Sequence, residues 1–239
     1  MNVKAVEQYE YIEEWLLNND RLSQFMNKEI SVVDNQIKER NHQNWCDVDF
    51  NTGWHLRNVN GEFSKIGITD DPAAVEFNEN KLDAPDIRMV QGNFLEMPLF
   101  QKFDLVTNFF FRYTRHNKLS DSMRYLYKMA EMVERGGSMI FSFHNPGEIF
   151  DYIPCLSTND PNSVQFDGYA WSYTMPHQPQ LRYRCVSPHK QLIVANLKKR
   201  FAGVKVVQYE RKIEDLDQNT VSNIEHPGAE ILIFEDKIL

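Results

Sequence analysis

The chain has 239 residues, 42% of them apolar, including 16 phenylalanines, and its 34 Asp and Glu against 26 Lys and Arg give a formal charge of −8. That length suits one large domain with a sizeable core; no run of about 18 apolar residues marks a membrane helix, and the acidic start MNVKAVEQYEYIEE is no secretory signal. The cysteines Cys46, Cys155 and Cys185 lie too far apart for a zinc motif and point to reduced thiols in the cytoplasm, while dispersed basic residues, densest at Lys198–Arg200, make nucleic acid an unexpected partner.

In chain order, Ala5, Tyr9, Ile12 and Leu16 recur at helical spacing, as do Leu22, Met26, Ile30, Val33 and Ile37, with Asp20 as a cap between the two helices. Residues 1–42 therefore read as an N-terminal helical cap. Short apolar runs then begin to alternate with helical stretches. Strands are predicted at 45–48, 64–68, 87–91, 104–109 and 138–143, and helices at 72–80 and 120–135, the second stopped by Gly136-Gly137. Such alternation implies βαβ units and a parallel sheet covered on both faces. Residues 144–186 break the rhythm with five prolines, four tyrosines and Trp171, and read as an inserted lid, part loop and part strand (169–174 and 181–186). A helix at 189–201 and strands at 204–210 and 229–235 complete an α/β domain over residues 43–239.

This layout resembles the class I S-adenosylmethionine (SAM)-dependent methyltransferases, whose doubly wound, mostly parallel seven-stranded sheet ends in a hairpin. The resemblance covers roughly residues 40–237. It implies that the first strand ends in a loop of the form Asp/Glu-x-Gly-x-Gly-x-Gly, here Asp47-x-Asp49-x-Asn51-x-Gly53 within "DVDFNTGWH". The ribose-binding acid expected after the second strand is replaced by Thr69, with Asp70 next to it, in "KIGITDDPAA". The acid after the third strand becomes Asn93 in "QGNF". "FDLVTNFFF" and "ERGGSMIFSFHNP" keep the family's fourth and fifth strands.

Asn and Asp are the non-glycine residues that most readily take positive φ, so Asp49 and Asn51 are expected to keep the loop's backbone while adding side chains to it. Asp49 would bring a negative charge near the seat of the methionine carboxylate, a repulsion of about 4 kcal/mol at 4 Å and an effective dielectric of 20 unless a cation compensates. Thr69 offers one neutral hydrogen bond where a carboxylate accepts two, a loss of about 1–2 kcal/mol. Under the resemblance, Asp47, Asp49, Asn51, Gly53, Thr69, Asp70, Asn93 and Phe109 line the cofactor.

Three side chains are acceptor-side, catalytic candidates: Tyr113 and His116, in the loop after the fourth strand, and His144, at the end of the fifth. An imidazole near neutrality suits a general base. Each residue also has a plainer role, as turn cap, core aromatic or solvated loop. Nothing points to a metal. The implied activity is methyl transfer from SAM to a small-molecule acceptor. The alternatives are a methyltransferase scaffold that has given up SAM and acts as a binding or assembly subunit, as a homo-oligomer or beside a related subunit, and an enzyme doing other chemistry in the old cleft.

Overall fold

A computed structural model describes residues 3–18, 20–81, 87–99, 101–116, 118–144, 165–167, 170–175, 178–209 and 229–238. Two helices, α1 (Val3–Asn18) and α2 (Asp20–Arg40), precede β1 (Asn44–Val48), α3 (Trp54–Asn58), β2 (Ser64–Thr69), α4 (Pro72–Lys81) and β3 (Ile87–Gln91). After them come β4 (Phe103–Asn108), a 3-10 turn (Arg112–Thr114), α5 (Leu119–Met132) and β5 (Val133–His144). The strands β6 (Gln165–Asp167), β7 (Ala170–Met175) and β8 (Gln178–Val186) form a separate antiparallel sheet within the stretch expected to be an insertion. The chain continues through α6 (Lys190–Leu197), β9 (Phe201–Gln208) and β10 (Ala229–Lys237).

The main sheet has seven strands in the order β3-β2-β1-β4-β5-β10-β9. The first five run parallel, and β10 is antiparallel to both β5 and β9. Trp45, Cys46, Asp47 and Val48 of β1 are all buried, as a central strand covered on both faces requires. Strand order reverses between β1 and β4, which opens a crevice at their carboxyl ends.

Alternate strand residues feed two cores. Cys46, Val48, Val106 and Phe141 pack with α5 and α6 on one face, and Trp45, Leu105, Ile140 and Ile231 pack with α2, α3 and α4 on the other. Helix α2 is thus a layer of the sandwich: Val33 and Ile37 are buried in it, and Gln36 donates to Ser138 Oγ at 3.0 Å. Helix α1 lies mainly against α4, where Tyr9 rests on Phe77.

Helix α5 ends three residues earlier than its sequence pattern suggests. Val133 is already extended and pairs with Phe103, and the register shifts before Leu105 meets Ser138. A buried β-branched residue favours the strand, and Gly136 at φ +81° absorbs the irregularity.

Candidate active site

The loop after β1 keeps an alternation of left-handed residues: Asp49, Asn51 and Gly53 have φ of 54°, 53° and 70°. Asp49 N–H donates to Ile68 O at 2.6 Å and Gly53 N–H to Phe50 O at 2.8 Å, which curls the loop back over β1 and β2. The backbone expectation for Asp49 and Asn51 is met. Gly53 is fixed by packing as well, since a Cβ there would lie 1.9 Å from Asn78 Oδ1. Gly53→Ala should therefore cost about 2–4 kcal/mol, combining a positive-φ penalty with displacement of a buried amide. A urea titration would show it, and an unchanged midpoint would mean that Asn78 simply swings away.

Below the loop, Trp45 Nε1–H donates to Thr107 Oγ1 at 2.9 Å, and Thr107 donates to Asp47 Oδ1 at 2.6 Å. Asp47 is fully buried. Burial pushes its carboxyl up to about 7, against the lowering effects of His55 and the Thr107 bond. Asp49 is half-buried, and desolvation raises its carboxyl although Tyr125, which donates to Oδ2 at 2.6 Å, and Arg112 favour the charge. Arg112 Nη2 donates to Asn51 Oδ1 at 2.9 Å. The cation that Asp49 calls for is therefore present, supplied by the loop after β4.

That loop is strained. Phe110 and Phe111 both have positive φ, 56° and 54°, a conformation bulky side chains rarely take and one that costs about 1–3 kcal/mol per residue. Asn108 holds it in place: its Nδ2 donates to Val48 O at 2.8 Å and its Oδ1 accepts Tyr113 N–H at 3.3 Å, tying the ends of β1 and β4 together. Phe109 is buried and stacks on His55, with ring centroids 4.4 Å apart. Buried polar atoms without a partner gather around these two loops: Thr52 Oγ1, Trp54 Nε1, Arg112 Nε, Tyr113 OH and His116 Nε2. Orphaned polar atoms are rare in folded proteins and mark places where another group can bind.

At the end of β2, Thr69 is buried and its Oγ1 accepts Asp71 N–H at 3.2 Å, so its hydroxyl serves the turn. Asp70 is exposed, and its charge reaches Asp49 and His116, which places it across the mouth of the crevice. Asn93 is exposed, with Oδ1 accepting Leu95 N–H at 3.0 Å. His116 is half-buried, and desolvation holds its imidazole below the usual value against the pull of Asp121, Asp49 and Asp70. Tyr113 departs from expectation. Its ring is fully buried in the α5-side core, edge-on to Phe141 at 5.3 Å, because the 3-10 turn directs it inward. The side chain of His144 lies outside the described residues. No group of His, Cys, Asp and Glu among the described residues could hold a metal ion.

Sequence reading missed Tyr125, the pairing of Arg112 with the loop, and two buried acids on the N-terminal helices. Glu29 Oε2 contacts His55 Nε2 at 2.8 Å, while its Oε1 accepts Ser142 Oγ at 2.6 Å and the Tyr209 hydroxyl. Glu13 pairs with Arg57 and Lys81. The available signal was an acid inside each apolar stripe: Glu13 between Tyr9 and Leu16, Glu29 between Met26 and Val33.

Sheet order, the antiparallel β10 and the loop at the β1–β4 switch define the fold of the class I SAM-dependent methyltransferases. No protein-family profile and no curated protein matches the chain. Solved structures do. A SAM-dependent methyltransferase from Clostridium acetobutylicum ATCC 824 aligns with 97% of this chain and 99% of its own at TM-score 0.66 and 14% identity. The N-methyltransferase NodS from Bradyrhizobium japonicum WM9, solved with S-adenosyl-L-homocysteine (SAH), aligns over 92% and 90% at TM-score 0.63 and 10% identity. CalS10 from Micromonospora echinaspora, a SAM-bound amino pentose methyltransferase, covers 87% and 91% at TM-score 0.58 and 14% identity.

Proposed function

We propose that the chain binds SAM at the ends of β1, β2 and β4 and catalyses methyl transfer to a small-molecule acceptor. The observation that carries this reading is the loop itself: positive φ at Asp49, Asn51 and Gly53 without the glycines, and Arg112 beside it with Nε unpartnered. The residues fit the cofactor. Arg112 and Thr52 would hold the methionine carboxylate, Asp70 would take the ribose hydroxyls in place of Thr69, and Asn93 would stand on the adenine side. When bound, SAM supplies an electrophilic methyl group on a sulfonium. Asp47 supports the loop from below, and Phe109 offers an aromatic wall beside His55.

A small-molecule acceptor is supported by two of the structural neighbours, an N-methyltransferase and an amino pentose methyltransferase. On this reading His116 would take the acceptor's proton, and the lowering of its imidazole by desolvation supports that role. His116→Gln should lower kcat about 10²-fold or more while leaving SAH affinity unchanged, and the wild-type rate should fall as pH drops below the ordinary histidine value. A rate indifferent to the substitution would remove His116 from the chemistry.

Calorimetry with SAM and SAH tests the reading directly. One-to-one binding at micromolar strength is expected, and absence of heat from folded protein would sink it. A second reading, a scaffold that has given up SAM for a partner, is favoured by Tyr125–Asp49 and Arg112–Asn51, which satisfy the loop from within. That negative calorimetric result is what it predicts.

A further inference from the structure

Helix α3 is only five residues long, Trp54–Asn58, too short to anchor the preceding loop by its own hydrogen bonding. It is held from outside instead. Arg57 Nη1 donates to the carbonyl of Thr52, inside the loop, at 2.6 Å and to Asn78 Oδ1 at 2.6 Å, while Nη2 pairs with Glu13 of α1. Asn78 in turn fills the space beside Gly53. Glu13 is buried and also takes Lys81 of α4. One helical turn earlier, Tyr9 donates to Asp71 Oδ2 at 2.7 Å, at the carboxyl end of β2.

We propose that Glu13 of α1 is a positioning residue for the loop: through Arg57 it fixes the Thr52 carbonyl, so that docking of α1 and the ligand-ready geometry of residues 49–53 are one equilibrium. The inference rests on the SAM reading only for the identity of the ligand. Its physical content is a planar guanidinium spending its donors on three partners at once. Glutamate holds it in register, Asn78 seats it against α4, and the Thr52 carbonyl receives what is left. With two of the loop's glycines replaced, the backbone lacks the freedom to find this shape unaided, and the clamp supplies it. A ligand that needs the loop formed should therefore also tighten α1.

Two substitutions separate the clamp from simple packing. Glu13→Gln keeps the shape and removes the charge. Arg57→Lys keeps the pair with Glu13, but a point-charge ammonium cannot span Thr52, Asn78 and Glu13 together. Lys81→Met, which removes the more exposed partner of Glu13, a pair that adds little to the docking of α1, and leaves Arg57 in place, is the control. Hydrogen exchange of the amides at Gly53 and Arg57, which close the loop and start α3, is read against the β1 and β4 amides.

Both Glu13→Gln and Arg57→Lys should speed exchange at Gly53 and Arg57 by about tenfold, with strand protection unchanged. Lys81→Met should leave the loop as in the wild type. Where SAH binds, Glu13→Gln should weaken it about tenfold, and SAH should slow exchange along α1 in the wild type. Loop exchange unaltered in Arg57→Lys would overturn the proposal, as would a Glu13→Gln protein with α1 loosened and the loop intact. If SAH fails to bind even the wild type, the SAM reading falls while the ligand-free exchange still decides the clamp.

Discussion

Arg112→Met is expected to weaken SAH binding by about 10²-fold while leaving the protein folded. The side chain is half-buried, touches Asn51, and lies close enough to Asp49 to lower its carboxyl against the upward push of burial. Methionine keeps much of the packing volume and removes the charge. Asp49 then faces the ligand's carboxylate uncompensated, a repulsion of about 2–4 kcal/mol at roughly 4–8 Å and an effective dielectric of about 20. Each 1.4 kcal/mol is a factor of ten, so about 10²-fold falls within that range. A companion variant makes the argument specific. In the Arg112→Met background, Asp49→Gly removes the charge that needed a partner, and glycine accepts φ of 54° without strain. Affinity should recover by about tenfold. If Arg112→Met binds SAH as the wild type does, Arg112 plays no part in seating the carboxylate, and Asp49 is held by Tyr125 alone.

That pair also shows where the sequence was legible and where it was not. Strand and helix positions follow from local patterns, and β1, β2, β3 and β4 lie within a residue of their expected bounds because alternation and turns are local signals. The left-handed loop was legible for the same reason: Asp and Asn are residue types with a known backbone preference. Arg112 and Tyr125 were not, because their roles depend on which strand end comes to lie beside which. Arg112 is 61 residues from Asn51, and Tyr125 is 76 from Asp49. Tyr113 failed for a related reason. Its place after β4 put it near the crevice, but the sense of a three-residue turn decided whether its ring met solvent or core. The strain at Phe110 and Phe111 has no sequence signature, since neither residue type favours positive φ. Glu13 and Glu29 carried a signal in their interruption of an apolar stripe, which reads as a solvated edge until the partner is seen.

Asp47→Asn is expected to make the protein more stable at pH 8 and a poorer ligand binder. The carboxyl of Asp47 is fully buried and raised from its ordinary 3.8 to about 7, chiefly by desolvation. A raised acid holds its proton more tightly folded than unfolded between those two values. Its contribution to stability is therefore complete below pH 3.8 and is lost as pH climbs to about 7. At 1.36 kcal/mol per pKa unit the ionised carboxylate costs about 4 kcal/mol at pH 8, an upper figure because the side chain relaxes with its surroundings. Asparagine cannot ionise, and its amide oxygen can still accept the Thr107 hydroxyl that donates to Asp47 at 2.6 Å. Urea titrations should show the variant ahead by about 2–4 kcal/mol at pH 8, with the margin shrinking towards pH 4. Calorimetry should show SAH binding reduced, because a charge kept in the core at such a cost is retained for the loop it supports. A variant less stable than the wild type at pH 8 would mean that His55 and the Thr107 hydroxyl already compensate the carboxylate. In that case Asp47 belongs to the fold and its ionisation carries no strain.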